Sequence, residues 1–311
     1  LSNGLRYAVR RNGVPPGQVS IRLRMDVGSL MERADEQGYA HYMEHLTMRG
    51  SRHVPDGESK RIWQRLGVTF GSDSNAQTTP TGTTYALDLP QATQASLTES
   101  MKILAGMMAE PNINAGSVDA ERAVVLAEKR ESDGPQSRIS DANRLHFFAG
   151  QPLAEHAPIG TVDTLKAATA AKMEAFHQRW YRPENTVIAI SGDIDPAIAE
   201  QLIKDNFGNW TAPGKGAAIP DFGAPDPKAP ATRVFVEPGV PVSLGPIESR
   251  SACARSKIWD PSSMPSSHIR LMTGSSVGNV WAAAISVKPH TAASAMAGTR
   301  VFFMSSSSWS W

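Results

Sequence analysis

The residues with the most defined chemistry in the 311-residue chain are His41-Tyr42-Met43-Glu44-His45. Two imidazoles four positions apart on a helix face the same way, so both rings can reach one cation at about 2.0–2.1 Å. Glu44 shares that face, and a carboxylate beside a metal but not bound to it can take a proton from a water whose pKa the metal has lowered to about 7. A catalytic zinc takes three protein ligands and leaves a fourth position to water. Candidates for the third ligand are Glu121 and Glu128, two helical turns apart and so on one side of a helix. Either can bind the metal while the other supports it, orienting a histidine ring or the water. The competing reading is two ordinary hydrogen-bonded histidines, with Glu121 and Glu128 on a solvated helix face beside Arg122 and Arg130.

Composition narrows the alternatives. The single cysteine, Cys253, excludes an internal disulfide framework and a cysteine-rich zinc module, so any metal ligands are His, Asp or Glu. With 31 basic and 30 acidic residues and no long runs of one sign, no nucleic acid and no polybasic membrane surface is expected as a partner. His53, His146, His156 and His177 stand singly, as surface or hydrogen-bonded histidines do. No apolar run approaches the roughly 20 residues of a membrane-spanning helix. The chain begins at Leu1 without a methionine, and Leu1 to Tyr7 reads as strand and turn rather than an export signal, which is what a trimmed chain would show.

The elements that must carry these side chains can be read from periodicity. Period-two alternation over residues 5–30 points to half-exposed strands and an antiparallel sheet. Glu32, Asp35 and Glu36 precede an apolar-periodic helix that bears the His41 motif and is ended by Gly50. Further helices are expected over 56–66, 97–108, 118–131 with Ser117 as cap, 164–180 and 196–207, and strands over 67–76, 83–89 and 186–192. Asn75, Ala76 and Tyr85 fall in strands that could offer an edge to an extended peptide. The sum is α+β, an antiparallel sheet packed against helices. Residues 1–215 read as one domain, and 216–232, rich in Pro, Gly and Ala, as a linker into a strand at 233–236. Residues 245–311 lose all periodicity and read as a disordered or aberrant tail, such as a shifted reading frame.

The segment Gly38 to Leu46, followed by Arg49-Gly50-Ser51, resembles the active-site helix of the pitrilysin/insulinase family of zinc peptidases, whose His-x-x-Glu-His order is that of the inverted zincins. Glu121-Arg122-Ala123-Val124-Val125-Leu126-Ala127-Glu128 looks like that family's second segment, and Pro158-Ile159-Gly160-Thr161, Trp180 to Asn185 and Ser191-Gly192-Asp193 resemble its closing part. The resemblance covers residues 1–244. It implies His41, His45 and Glu128 as Zn²⁺ ligands, with Glu44 and Glu121 catalytic. It also implies peptide or unfolded-polypeptide substrates bound as an added strand, and a second homologous half-domain or subunit closing a chamber. Residues 233–244 would then begin a second repeat. A periplasmic or cell-envelope location is expected on the same ground. The other classes of function are a non-catalytic subunit or scaffold and an inactive truncated fragment.

Overall fold

The alternating stretch near the N-terminus folds as two strands, β1 (Arg6–Arg11) and β2 (Val19–Met25). In β2, Val19, Ile21, Leu23 and Met25 are buried while Arg22 and Arg24 face outward, as the pleat requires. The computed structural model describes residues 1–224 and Asp226. Strands β3 (Ser74–Thr78), β4 (Thr83–Leu89) and β5 (Thr186–Gly192) complete a sheet of order β1-β5-β2-β4-β3. Ile21 stands opposite Leu87 and Ile190, and Leu23 opposite Tyr85 and Ile188, so the register aligns one apolar layer across the central strands. Three of the pairings are antiparallel as expected, but β1 runs parallel to β5. That departure has a simple cause: parallel neighbours need a long crossover, and here most of the domain lies between the two strands.

Eight α-helices alternate with the strands in the described residues: α1 (Tyr39–Arg49), α2 (Glu58–Arg65), α3 (Gln94–Ala109), α4 (Ala115–Ser132), α5 (Pro135–Phe147), α6 (Val162–Ala167), α7 (Ala170–Trp180) and α8 (Pro196–Phe207). Helix α4 starts earlier than expected because Asn114, not Ser117, is its cap. Asn114 Oδ1 accepts the Ser117 N–H at 3.0 Å, and Ser117 Oγ accepts the Asn114 N–H at 3.0 Å. The single helix expected over 164–180 is two, α6 and α7, separated at Ala168, which is extended, and restarted by a Thr169 cap. Residues 67–73 form turns rather than a strand, and α5 is an element that periodicity did not suggest. Pro135 sits in the first turn of α5, where a missing N–H costs nothing, so it opens a helix as well as following one.

Helix α1 is held firmly. Tyr39, Ala40, Tyr42, Met43 and Leu46 are fully buried, each large apolar side chain contributing about 1.5–3 kcal/mol. Its N-terminus receives the Glu32 carboxylate, which accepts N–H bonds from Gly38 at 2.9 Å and Ala40 at 2.8 Å. Burial pushes the Glu32 carboxyl well above its usual range, with these two bonds opposing. Glu36, also expected to favour the helix start, pairs instead with Arg179 at 2.5 Å. Gly38 (φ +92°) and Gly160 (φ +68°) lie back to back, and Thr164 Oγ1 donates to Gln37 O at 2.6 Å, clamping the entry to α1. The Tyr42 hydroxyl donates to Val118 O on α4, and Arg122 donates to Leu165 O at 3.2 Å and Ala168 O at 2.6 Å. The first bond fixes α4 beside α1, and the other two tie α4 to the end of α6.

After α8, residues 211–224, the stretch that includes the boundary expected near 215, carry neither helix nor strand. The rest of the linker, the strand at 233–236, the second-repeat start at 233–244 and the tail at 245–311 lie outside the described residues. No helix of the described residues is long and apolar enough to cross a membrane.

Candidate metal centre

Helices α1 and α4 bring their polar stripes together. The rings of His41 and His45 stand edge to face, centroids 4.8 Å apart. Glu128 Oε2 lies 3.5 Å from His41 Nε2 and 3.3 Å from His45 Nε2. Donors on a tetrahedral zinc with bonds of about 2.0–2.1 Å stand about 3.3–3.4 Å from one another, so the two carboxylate contacts already have the required spacing. Glu128 Oε2 is buried and has no hydrogen-bond partner, which a cation among the three donors would remedy. The residues present therefore fit one metal ion, and the three side chains form one group able to hold it.

Glu121 sits on the other side of His45. Its Oε2 is 3.2 Å from His45 Nδ1, and its Oε1 accepts a bond from Arg49 at 2.7 Å. Arg49 in turn reaches Asp56 at 2.6 Å. Glu44 is buried, and its Oε2 accepts the Thr78 hydroxyl at 2.5 Å.

Burial lowers the His41 ring to about 4, helped by the charge on His45. Burial also works against charge on His45, but Glu121, Glu128 and Glu44 outweigh it and raise that ring to about 10. For Glu121 and Glu128, burial alone would raise the carboxyl, yet the adjacent His45 ring, with Arg49 beside Glu121 and His41 beside Glu128, holds both below the usual range. Burial lifts Glu44 to about 7 against the Thr78 hydrogen bond.

All five residues picked out by spacing are thus brought together. The proposed peptide contacts divide. Asn75 is exposed and Ala76 half-buried on β3, which among the described strands pairs only with β4, its first residue Ser74 also bridging Phe70. Tyr85 does not belong with them. It is 2% exposed, because its position on the interior strand β4 points toward the helices, and its hydroxyl lies 2.9 Å from both Thr47 Oγ1 and Tyr181 OH. Sequence reasoning gave no role to Thr78 or Arg49. Arg49 is four residues past His45 and so on the motif's face, and Thr78 is two residues past Ala76 on the same face of β3. Of the single histidines, His156 meets Ser29 O at 2.9 Å and His177 meets Met108 O at 2.8 Å, as structural histidines do.

Residues 8–156 match the family described as Insulinase (Peptidase family M16), and residues 167–245 match Peptidase M16 inactive domain. The chain belongs to the insulinase, or M16, family of peptidases. Among its M16 relatives is the probable zinc protease PqqL of Escherichia coli (strain K12), 35% identical over 212 residues, 68% of this chain and 23% of PqqL. The chloroplastic stromal processing peptidase of Pisum sativum is 32% identical over 252 residues, 79% of this chain and 19% of that protein. The crystal structure of the first half of the periplasmic protease PqqL from Escherichia coli superposes with a TM-score of 0.68 at 34% identity, covering 71% of this chain and 47% of that one. The chain spans less than a quarter of the length of the PqqL proteins it matches, 23% and 22%. M16 relatives are named zinc proteases, and the His41–His45–Glu128 group supplies the donors that this cofactor needs.

Proposed function

We propose that residues 1–215 are the catalytic domain of a zinc endopeptidase that hydrolyses peptides or unfolded polypeptides. The observation that carries this reading is the convergence of His41 Nε2, His45 Nε2 and Glu128 Oε2 with the buried Glu44 carboxylate beside them. His41, His45 and Glu128 hold the metal. Zinc bound there supplies Lewis acidity toward a water and toward the scissile carbonyl. Glu44 is the general base: its buried carboxylate lies beside the metal-binding side chains, is held through Oε2 by Thr78, and its Oε1 has no hydrogen-bond partner among the described residues. Glu121 orients His45 through Nδ1 and is itself gripped by Arg49. The free edge of β3, with Asn75 and Ala76, takes the substrate as an added strand.

A second homologous half completes the chamber, a reading supported by PqqL relatives about three times as long and by the family's second domain type matching residues 167–245. PqqL from Escherichia coli is a periplasmic protease, which supports a bacterial cell-envelope site. Metal content and hydrolysis of a quenched peptide library, measured for the chain and for Glu44→Gln, test the proposal. One zinc per chain with cleavage lost in Glu44→Gln is the expected result. Zinc without cleavage in either protein would favour the non-catalytic or half-missing alternatives, and no zinc would overturn the site.

A further inference from the structure

We infer that Thr78 is a positioning residue for Glu44, deciding which of the two carboxylate oxygens is left to act; this rests on the reading of Glu44 as the base. The Thr78 hydroxyl donates to Glu44 Oε2 at 2.5 Å, and no other described side chain bonds that carboxylate. A neutral donor to a charged acceptor makes one of the stronger hydrogen bonds, and a terminal carboxylate torsion is otherwise broad. Glu44 is 8% exposed, so solvent would not readily replace the lost donor.

Thr78 is itself fixed by the sheet and not by the helix it serves. It pairs with Thr83 across β3 and β4, its Oγ1 lies 3.2 Å from Thr83 Oγ1, and Thr83 Oγ1 donates to Val27 O at 2.9 Å. Just past it, Thr79 N–H bonds Gly82 O at 2.8 Å, closing the turn into β4. The hydroxyl therefore ties the motif-bearing helix α1 to the edge strand through one bond at the base. Thr78 makes no hydrogen bond to the three metal-binding side chains, so its effect on catalysis should be separable from its effect on zinc.

Thr78→Val keeps the shape and removes the hydroxyl, while Thr78→Ser keeps the hydroxyl. The full chain carrying each is compared with the parent for zinc content, melting temperature, kcat and KM on quenched peptides, and the zinc-loaded crystal structure. Both variants should bind one zinc and melt close to the parent. Thr78→Val should lose about 10- to 100-fold in kcat with KM changed less than about twofold, its Glu44 carboxylate turned from the parent orientation, whereas Thr78→Ser stays within about threefold. Full kcat with an unmoved carboxylate in Thr78→Val, or equal losses in Val and Ser variants, would overturn the inference. If the parent chain cleaves nothing, the functional reading fails, and the carboxylate's orientation in the Thr78→Val structure still decides this one: turned sustains it, unmoved refutes it.

Discussion

Replacing Gly160 by Ala should damage the domain more than its single methyl suggests. At φ +68°, a Cβ on Gly160 would sit 2.4 Å from Gln37 O and 2.5 Å from Gly38 Cα, where ordinary contacts begin above 3 Å. Left-handed backbone costs an L residue about 1–2 kcal/mol, and forcing two backbones apart adds about 1–3 kcal/mol. The sum, about 2–5 kcal/mol, corresponds to a melting temperature lower by about 4–20 °C for a domain of this size. Gly17 is the control. Its φ of +69° is nearly the same, yet nothing lies within 4 Å of its would-be Cβ, so Gly17→Ala should show the backbone term alone. Thermal unfolding of both variants, zinc-free, isolates the clash as the difference between them. Equal losses in the two would refute the claim that close approach of the Gly160 and Gly38 backbones sets the entry to α1.

Zinc affinity should rise about tenfold per pH unit between pH 6 and 8. His45, protonated up to about 10 in the zinc-free site, must lose one proton to bind, whereas His41, at about 4, is already neutral. Calorimetry in buffers of different ionisation enthalpy should count about one proton released, and a pH-independent affinity would contradict this. Glu121→Gln should weaken zinc binding by about 10- to 100-fold and Glu128→Gln by more, as expected for a supporting carboxylate and a ligand, and chelator competition would expose the reverse order. Met43→Ala, at a fully buried position of α1, should cost about 2–5 kcal/mol in urea unfolding.

The metal-binding face was legible because its information is local. Spacing of four and seven residues puts His41 with His45 and Glu121 with Glu128 on shared faces, whatever the rest of the chain does. What spacing could not say is which glutamate faces the rings; that depends on how α1 crosses α4, and there Glu128 meets both Nε2 atoms while Glu121 meets Nδ1. Tyr85 misled for a related reason. Period two says that Thr83, Tyr85, Leu87 and Leu89 share a face, but not that β4 lies inside the sheet with that face against helices. The parallel pairing of β1 with β5 was illegible too, since both strands alternate in the same way in either direction. Helix α5 escaped notice because its buried positions, Ile139, Ala142 and His146, include only one strongly apolar residue.

The place of β5 between β1 and β2 also bears on how the chain reaches its native state. Strands β2, β4 and β3 are close in sequence and can pair early, but β1, which precedes them all, has no partner in the sheet until β5 arrives near the end of the domain. A chain emerging from the ribosome therefore carries β1 without its sheet partner until Thr186–Gly192 has been made. Long-range closure of this kind slows folding and leaves backbone open to wrong partners. Among the described strands, the last to be made is thus the one that commits the first.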